Sequence, residues 1–201
     1  MDNYSAGKSG YYTPEDLKDV MEQLWSQQIL WTRFYLVSAV SKLPDLEVVE
    51  NRLLESPHDF ANVFRIYYGD ATADQLESLI REHLTLTVQL INAFIEEYDS
   101  RRNTSFSNIP VGSTPKTAAL ERQWRDNADA YAAFLAGINP YWDQSEMRNN
   151  LSNHLDMTKD EITKRIYGQY AADVYQYDFI EYHALMLAGI MADGIIKQFY
   201  T

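Results

Sequence analysis

Three hydroxyl–proline pairs constrain this chain more than any other feature. Thr13-Pro14, Ser56-Pro57 and Thr114-Pro115 each offer a side-chain oxygen to the first free N–H groups of a helix. The proline that follows sits at the first helical position, where its missing N–H costs nothing. Thr72 with Gln75 and Thr158 with Glu161 show the spacing of capping boxes. Stops are expected at Pro44, Gly69, Pro140 and the polar stretch after Tyr98. These signals predict long helices over residues 14–42, 72–98 and 115–138, and short ones over 45–55, 57–68 and 143–154. A last helical region runs from 158 almost to the end. As one rod it would measure ~60 Å at ~1.5 Å per residue, too long for this core, so a bend or break is expected near Gly168.

No alternating apolar run bounded by turn residues reads as a strand. The expected class is therefore all-α: a bundle of four long helices with short helices in the crossovers, in a ferritin-like or related up-down arrangement. A flexible arm, 1–12, precedes a single domain over 13–201. Residues 99–113 read as an exposed, mobile connection.

Composition narrows the partners. A hydrophobic fraction of 46% with 23% charged residues is that of a globular protein. The net charge of −12, with no Lys/Arg stripe to offset it, argues against nucleic acid and anionic membrane surfaces. There is no Cys, which excludes disulfides, thiolate metal sites and cysteine nucleophiles. The arm lacks the apolar run of a signal peptide, and no uninterrupted apolar stretch approaches the ~20 residues that span a bilayer. The expected location is cytoplasmic. Tyr is the outlier at 15 residues, a side chain suited to helix borders, polar pockets and self-associating surfaces.

Motifs of catalysis are missing. Ala6-Gly7-Lys8-Ser9 resembles the tail of a phosphate-binding loop, but Asp2 stands where its first Gly belongs. The Glu-x-x-His spacing of di-iron bundles occurs at Glu55 and His58, where Ser56-Pro57 interrupts the helix. Glu181 and His183, two apart on a helix, diverge. Asn103-Thr104-Ser105 has the form of a glycosylation sequon and reads as a polar loop. His154, near the end of the short helix over 143–154, reads as a capping or interface residue whose protonated form the helix dipole favours.

Helical periodicity locates the interior. Leu17, Met21, Leu24, Trp31, Tyr35 and Ser38 form one stripe, with Gln28 at its centre. Leu76, Leu79, Ile80, Leu90 and Phe94 form a second, with His83. Leu120, Trp124, Tyr131, Phe134 and Ile138 form a third, with Asn127. Ile166, Tyr170, Tyr177, Ile180, Ala184 and Met191 form a fourth, with Asp173. Each long helix thus offers one polar group to the core, and a buried polar group needs a partner. Asp173 with His83 is the expected pair, flanked by Tyr170 and Tyr177. One reading is a polar layer that fixes helix register and is satisfied internally. The other is a pocket of Gln28, His83, Asn127, Asp173, Tyr170 and Tyr177 holding a small ligand, or a metal ion on His83 and Asp173. A metal ion is the one cofactor this set allows, and an enzyme is the least favoured class. A non-enzymatic structural or interaction protein, self-associating through Tyr-rich surface, is the alternative.

Several stretches resemble a family of small all-helical proteins from spore-forming Gram-positive bacteria. They are Trp31-Thr32-Arg33, Asp59-Phe60-Ala61-Asn62, Trp124-Arg125-Asp126-Asn127-Ala128-Asp129, Ile138-Asn139-Pro140-Tyr141-Trp142 and Tyr170-Ala171-Ala172-Asp173. The resemblance covers roughly residues 20–199 and implies a helical fold without an assigned activity. Some members carry an acetylglutamate kinase label, for which this chain has neither a Gly-rich phosphate loop nor a parallel sheet. The family pattern carries His at the position of Gln28, which would set two His and an Asp on three core stripes. Gln28 removes one of those nitrogen donors here.

Overall fold

The computed structural model describes residues 10–102 and 110–200. The phosphate-loop-like tail over 6–9, most of the 1–12 arm and the 103–105 sequon lie outside them. The described residues form seven helices: α1 (Pro14–Ser41), α2 (Leu46–Leu53), α3 (Ser56–Tyr68), α4 (Asp70–Arg101), α5 (Pro115–Ile138), α6 (Gln144–Ile166) and α7 (Tyr170–Phe199). Among these residues there is no strand.

Two of the hydroxyl–proline starts form as expected. The Thr13 hydroxyl oxygen accepts from Asp16 N at 3.1 Å, and that of Thr114 accepts from Thr117 N at 3.2 Å to open α5. Ser56 is instead the first residue of α3, and its hydroxyl donates back to Leu53 O at 2.7 Å. Thr72 is not a cap, because α4 begins two residues earlier, straight after Gly69 at φ +77°. Thr158 is no start either. It lies inside α6 and donates its hydroxyl to His154 O at 2.8 Å, the back-bond a mid-helix threonine makes.

The expected short helix over 143–154 and the first part of the final region are therefore one helix, capped by Asp143, which accepts from Glu146 N at 2.9 Å. The break falls where it was expected. Gly168 adopts φ +70°, and Gln169 N donates to Lys164 O at 2.9 Å to close α6. The bundle consequently has five long helices rather than four.

Cross-helix bonds fix the directions. Tyr35 of α1 and Lys42 at its C-terminal cap meet Asn92 and Asp99 of α4, so those two helices run parallel. Lys18 and Arg33 meet Asp193 and Asp173, so α7 runs against α1. Glu121 and Asp129 of α5 meet Lys159 and Arg148 of α6, again antiparallel. Thus α1, α4 and α6 point one way, α5 and α7 the other, and α2 with α3 bridges α1 to α4.

The α4–α5 connection is organised by Glu97, a buried carboxylate that accepts from Gly112 N at 3.0 Å and Ser113 N at 3.1 Å. Burial pushes its pKa up, but these N–H groups, Thr117 and Arg101 outweigh that and hold it below the ordinary value. The connection from α5 to α6 packs tightly on α7 at Gly194. The Trp142 indole N–H donates to Ile190 O at 3.1 Å, and a Cβ on Gly194 would lie 1.9 Å from that indole nitrogen. Gly194→Ala is expected to lower stability by about 1–3 kcal/mol, the range for overpacking, with loss of the near-ultraviolet signal of Trp142. Denaturant unfolding of the variant checks it.

α7 is long and apolar enough, by length and composition, to cross a membrane, with a mean hydropathy of 1.4 over the qualifying window. Within the bundle 44% of that window is buried, the inner face packing on α1 and α6.

Candidate functional site

The polar residues of the four stripes fall into two linked clusters. In the first, on α1, α4 and α5, His83 Nδ1 lies 3.1 Å from Asn127 Oδ1. The amide nitrogen of Asn127 already donates to Leu79 O at 3.2 Å and Glu82 Oε2 at 3.1 Å. Its oxygen is thus the group that faces the ring, and His83 carries its proton on Nδ1. The ring stacks on Trp124 at 5.6 Å, and burial holds its pKa down at about 4. Gln28 is buried opposite, and its side-chain oxygen has no partner among the described residues.

Asp173 belongs to the second cluster and does not pair with His83. It is fully buried, accepting from Arg33 Nη1 at 2.7 Å and from Arg165 Nη1 at 3.1 Å. Arg33 also binds Glu161 of α6, whose carboxyl burial pushes up to about 7 against the pull of Arg33. Two arginines, Asp173 and Glu161 make a quartet joining α1, α6 and α7. Tyr177 and Tyr170 do flank Asp173, but through the arginines: Arg33 lies 5.0 Å from the Tyr177 ring and Arg165 4.8 Å from that of Tyr170. Burial raises the Tyr177 hydroxyl to about 12. Tyr170 is exposed rather than interior, since it opens α7 at the rim of the bundle.

His154 corrects a further expectation. It lies mid-helix and buried, so no helix terminus stabilises its protonated form, and burial drives its pKa down to about 3. It packs against the edge of Trp25 at 5.8 Å and stacks on His183 at 5.9 Å. Burial lowers the His183 pKa as well, and neither of its ring nitrogens has a partner among the described residues. Gln28, His83 and His154 together separate two small voids. One, of about 20 Å³, also touches Trp124, Thr158 and Glu161; the other, of about 10 Å³, touches Trp25 and Tyr131.

These dimensions decide what the interior can hold. A water molecule needs ~10–15 Å³ of such space and two to four polar partners. Trp25 Nε1, Gln28 Oε1, Tyr131 OH and His154 Nδ1 are all buried and unpartnered around the voids, so one or two waters fit their number and chemistry. An organic ligand needs ~300 Å³ or more and does not fit. The expected metal pair does not meet. Asp173 lies in the other cluster with both oxygens held by arginines, and no group of three or more His, Cys, Asp or Glu among the described residues could hold an ion.

No family model, curated protein or solved structure matches this chain. Site assignment therefore rests on its own geometry. The interior positions of His154 and Glu161, read in the sequence as a helix-end residue and a capping-box partner, did leave a signal: Met147, Leu151, His154, Thr158 and Glu161 continue one helical stripe across the expected gap between two helices.

The surface shows a second candidate. Tyr170, Val174, Tyr175, Phe179, Tyr182, Leu185 and Met186 are all exposed on α7, Tyr182 at 75% and Tyr175 at 64%. By contrast, α4, α5 and α6 expose no large hydrophobic side chain among the described residues. At 100° per residue, Tyr175, Phe179, Tyr182 and Met186 fall on one outward strip about three turns long. Asp178 is exposed within it and Glu181 beside it.

Proposed function

We propose that this chain is a non-enzymatic interaction module of the cytoplasm that self-associates through the outward face of α7, its buried polar layer being structural. The observation that carries this is the concentration of exposed aromatic side chains on one helix. At ~150–250 Å² per aromatic side chain, Tyr175, Phe179 and Tyr182 expose on the order of 400 Å². That reaches the ~300–600 Å² of the largest apolar patch on a typical monomer. With Val174, Leu185 and Met186 added, it approaches the ~800 Å² each partner contributes to a stable interface.

A twofold pairing of one helix with its copy needs only a self-complementary strip. An antiparallel pair with the axis between Ile180 and Glu181 sets Tyr175 opposite Met186 and Phe179 opposite Tyr182. It also keeps Asp178 away from its own copy and near the partner's Tyr182 hydroxyl. A parallel pair would oppose Asp178 to itself, at a penalty.

Phe179→Lys combined with Tyr182→Lys is expected to convert a dimer to a monomer while leaving the melting of the isolated bundle unchanged within ~0.5 kcal/mol, as for surface substitutions. Light scattering with parallel thermal melts reads both. An unmodified chain that scatters as a monomer at every concentration would remove the proposal.

A further inference from the structure

α7 is tied down along α6 at two places and not between them. Gln176 accepts from Lys164 Nζ at 3.0 Å and donates to Met157 O at 3.5 Å. Further along, Trp142, just ahead of α6, donates to Ile190 O at 3.1 Å. Between Gln176 and Ile190 no hydrogen bond crosses from α7 to α6 among the described residues. Midway along this stretch stands His183, half-buried, its ring stacked on that of His154 at 5.9 Å and 20°. Both nitrogens of His183 and Nδ1 of His154 are buried and without a partner among the described residues. A phenyl ring would fill either position without burying polar nitrogen, so packing alone does not account for two imidazoles face to face.

The surroundings of the stack offer a proton no counter-charge. α1 presents Trp25 and Gln28, α4 presents His83 and α5 presents Tyr131, all uncharged at neutral pH. α6 brings Glu161 to the neighbouring void, where Arg33 already holds it. On α7 itself Glu181 is exposed and, two residues before His183, diverges from it. A first charge on the pair is therefore uncompensated, and a second would sit against the first.

We propose that the His154–His183 stack is an acid-sensitive latch: a proton taken up by the pair opens the middle of the α6–α7 seam locally, between its two hydrogen-bonded ends, while the rest of the bundle stays folded. His183, at the edge of the seam, is where the proton enters. Its ring then turns out to solvent and leaves His154 exposed to a second. Opening shifts the exposed strip of α7 relative to the bundle, but the latch stands whether or not that strip pairs with a copy of itself.

Native-state hydrogen exchange of the full chain, read by mass spectrometry at pH 7 and pH 5 in low urea, tests it. A histidine released from burial binds its proton at ~6.5, so protection over residues 177–189 should fall at least tenfold between the two pH values. That exchange should depend little on urea, as in a local opening, while residues 84–94 of α4 show the steep dependence of global unfolding. His154→Leu/His183→Phe should abolish the loss of protection over 177–189. In the unmodified chain, the His183 ring protons followed by NMR should titrate over the same pH interval, a readout that needs no variant. Protection over 177–189 unchanged by pH, a urea dependence there equal to that of α4, an acid effect that survives in the double variant, or a His183 ring that does not titrate in that interval would each overturn the latch.

Discussion

Between pH 7 and pH 4 the unmodified chain is expected to lose about 3 kcal/mol more stability than His154→Leu. His154 takes its proton near pH 3 in the folded bundle and at ~6.5 once unfolded. Below ~6.5 the unfolded chain binds the extra proton, so stability falls as the pH drops and levels only near the folded value. The roughly 2.5 units between ~6.5 and pH 4, at about 1.4 kcal/mol each, amount to roughly 3 kcal/mol. His83, half-buried and held at about 4, acts with the same sign. Glu161 on the same void opposes them. Its carboxyl, raised to about 7, stays protonated in the folded state where the unfolded chain has already ionised. Its penalty therefore fades as the pH falls from 7 toward 4.5. Comparing the two chains cancels that contribution and isolates His154. Urea unfolding at half-unit pH steps is the measurement, and parallel curves for the two chains would refute the buried, uncharged state of His154.

Asp173→Ala is expected to destabilise the chain by about 3–5 kcal/mol, the range for removing one partner of a buried ion pair. The loss is not that of a single bond. Both oxygens of Asp173 face arginines, and their side chains are only 14% and 15% exposed. Truncation leaves Arg33 with Glu161 alone and Arg165 with no carboxylate. Asp173→Asn keeps the shape and loses the charge, so it should fall between the two. Chemical denaturation reads the series, and a loss below ~1 kcal/mol for Asp173→Ala would show that water screens the quartet.

Local signals were legible in the sequence and tertiary ones were not. Thr13 and Thr114 could be read because a cap is decided by the next three residues. Thr158 misled because the same residue type, placed inside a helix, bonds back to the carbonyl four residues earlier. That false start hid His154 and Glu161. The inward position of Asp173 follows from the helical period, yet its partners do not. Arg33 lies 140 positions away and off the apolar stripe of α1, reaching the core through a long side chain. On α7 the period fails for another reason. Residues on both faces are apolar or aromatic, and a helix apolar nearly all round gives no contrast between inside and outside. Tyr170 was therefore read as interior, and Tyr175, Phe179 and Tyr182 were not singled out as surface.

Sedimentation equilibrium of the unmodified chain, over a hundredfold range of concentration and at two salt concentrations, tests the assignment of the α7 face most directly. The reading of that face as a self-pairing surface predicts a reversible monomer–dimer equilibrium, with dimer gaining as salt screens the negative charge of the two copies. A single species of monomer mass at every concentration and salt would contradict it.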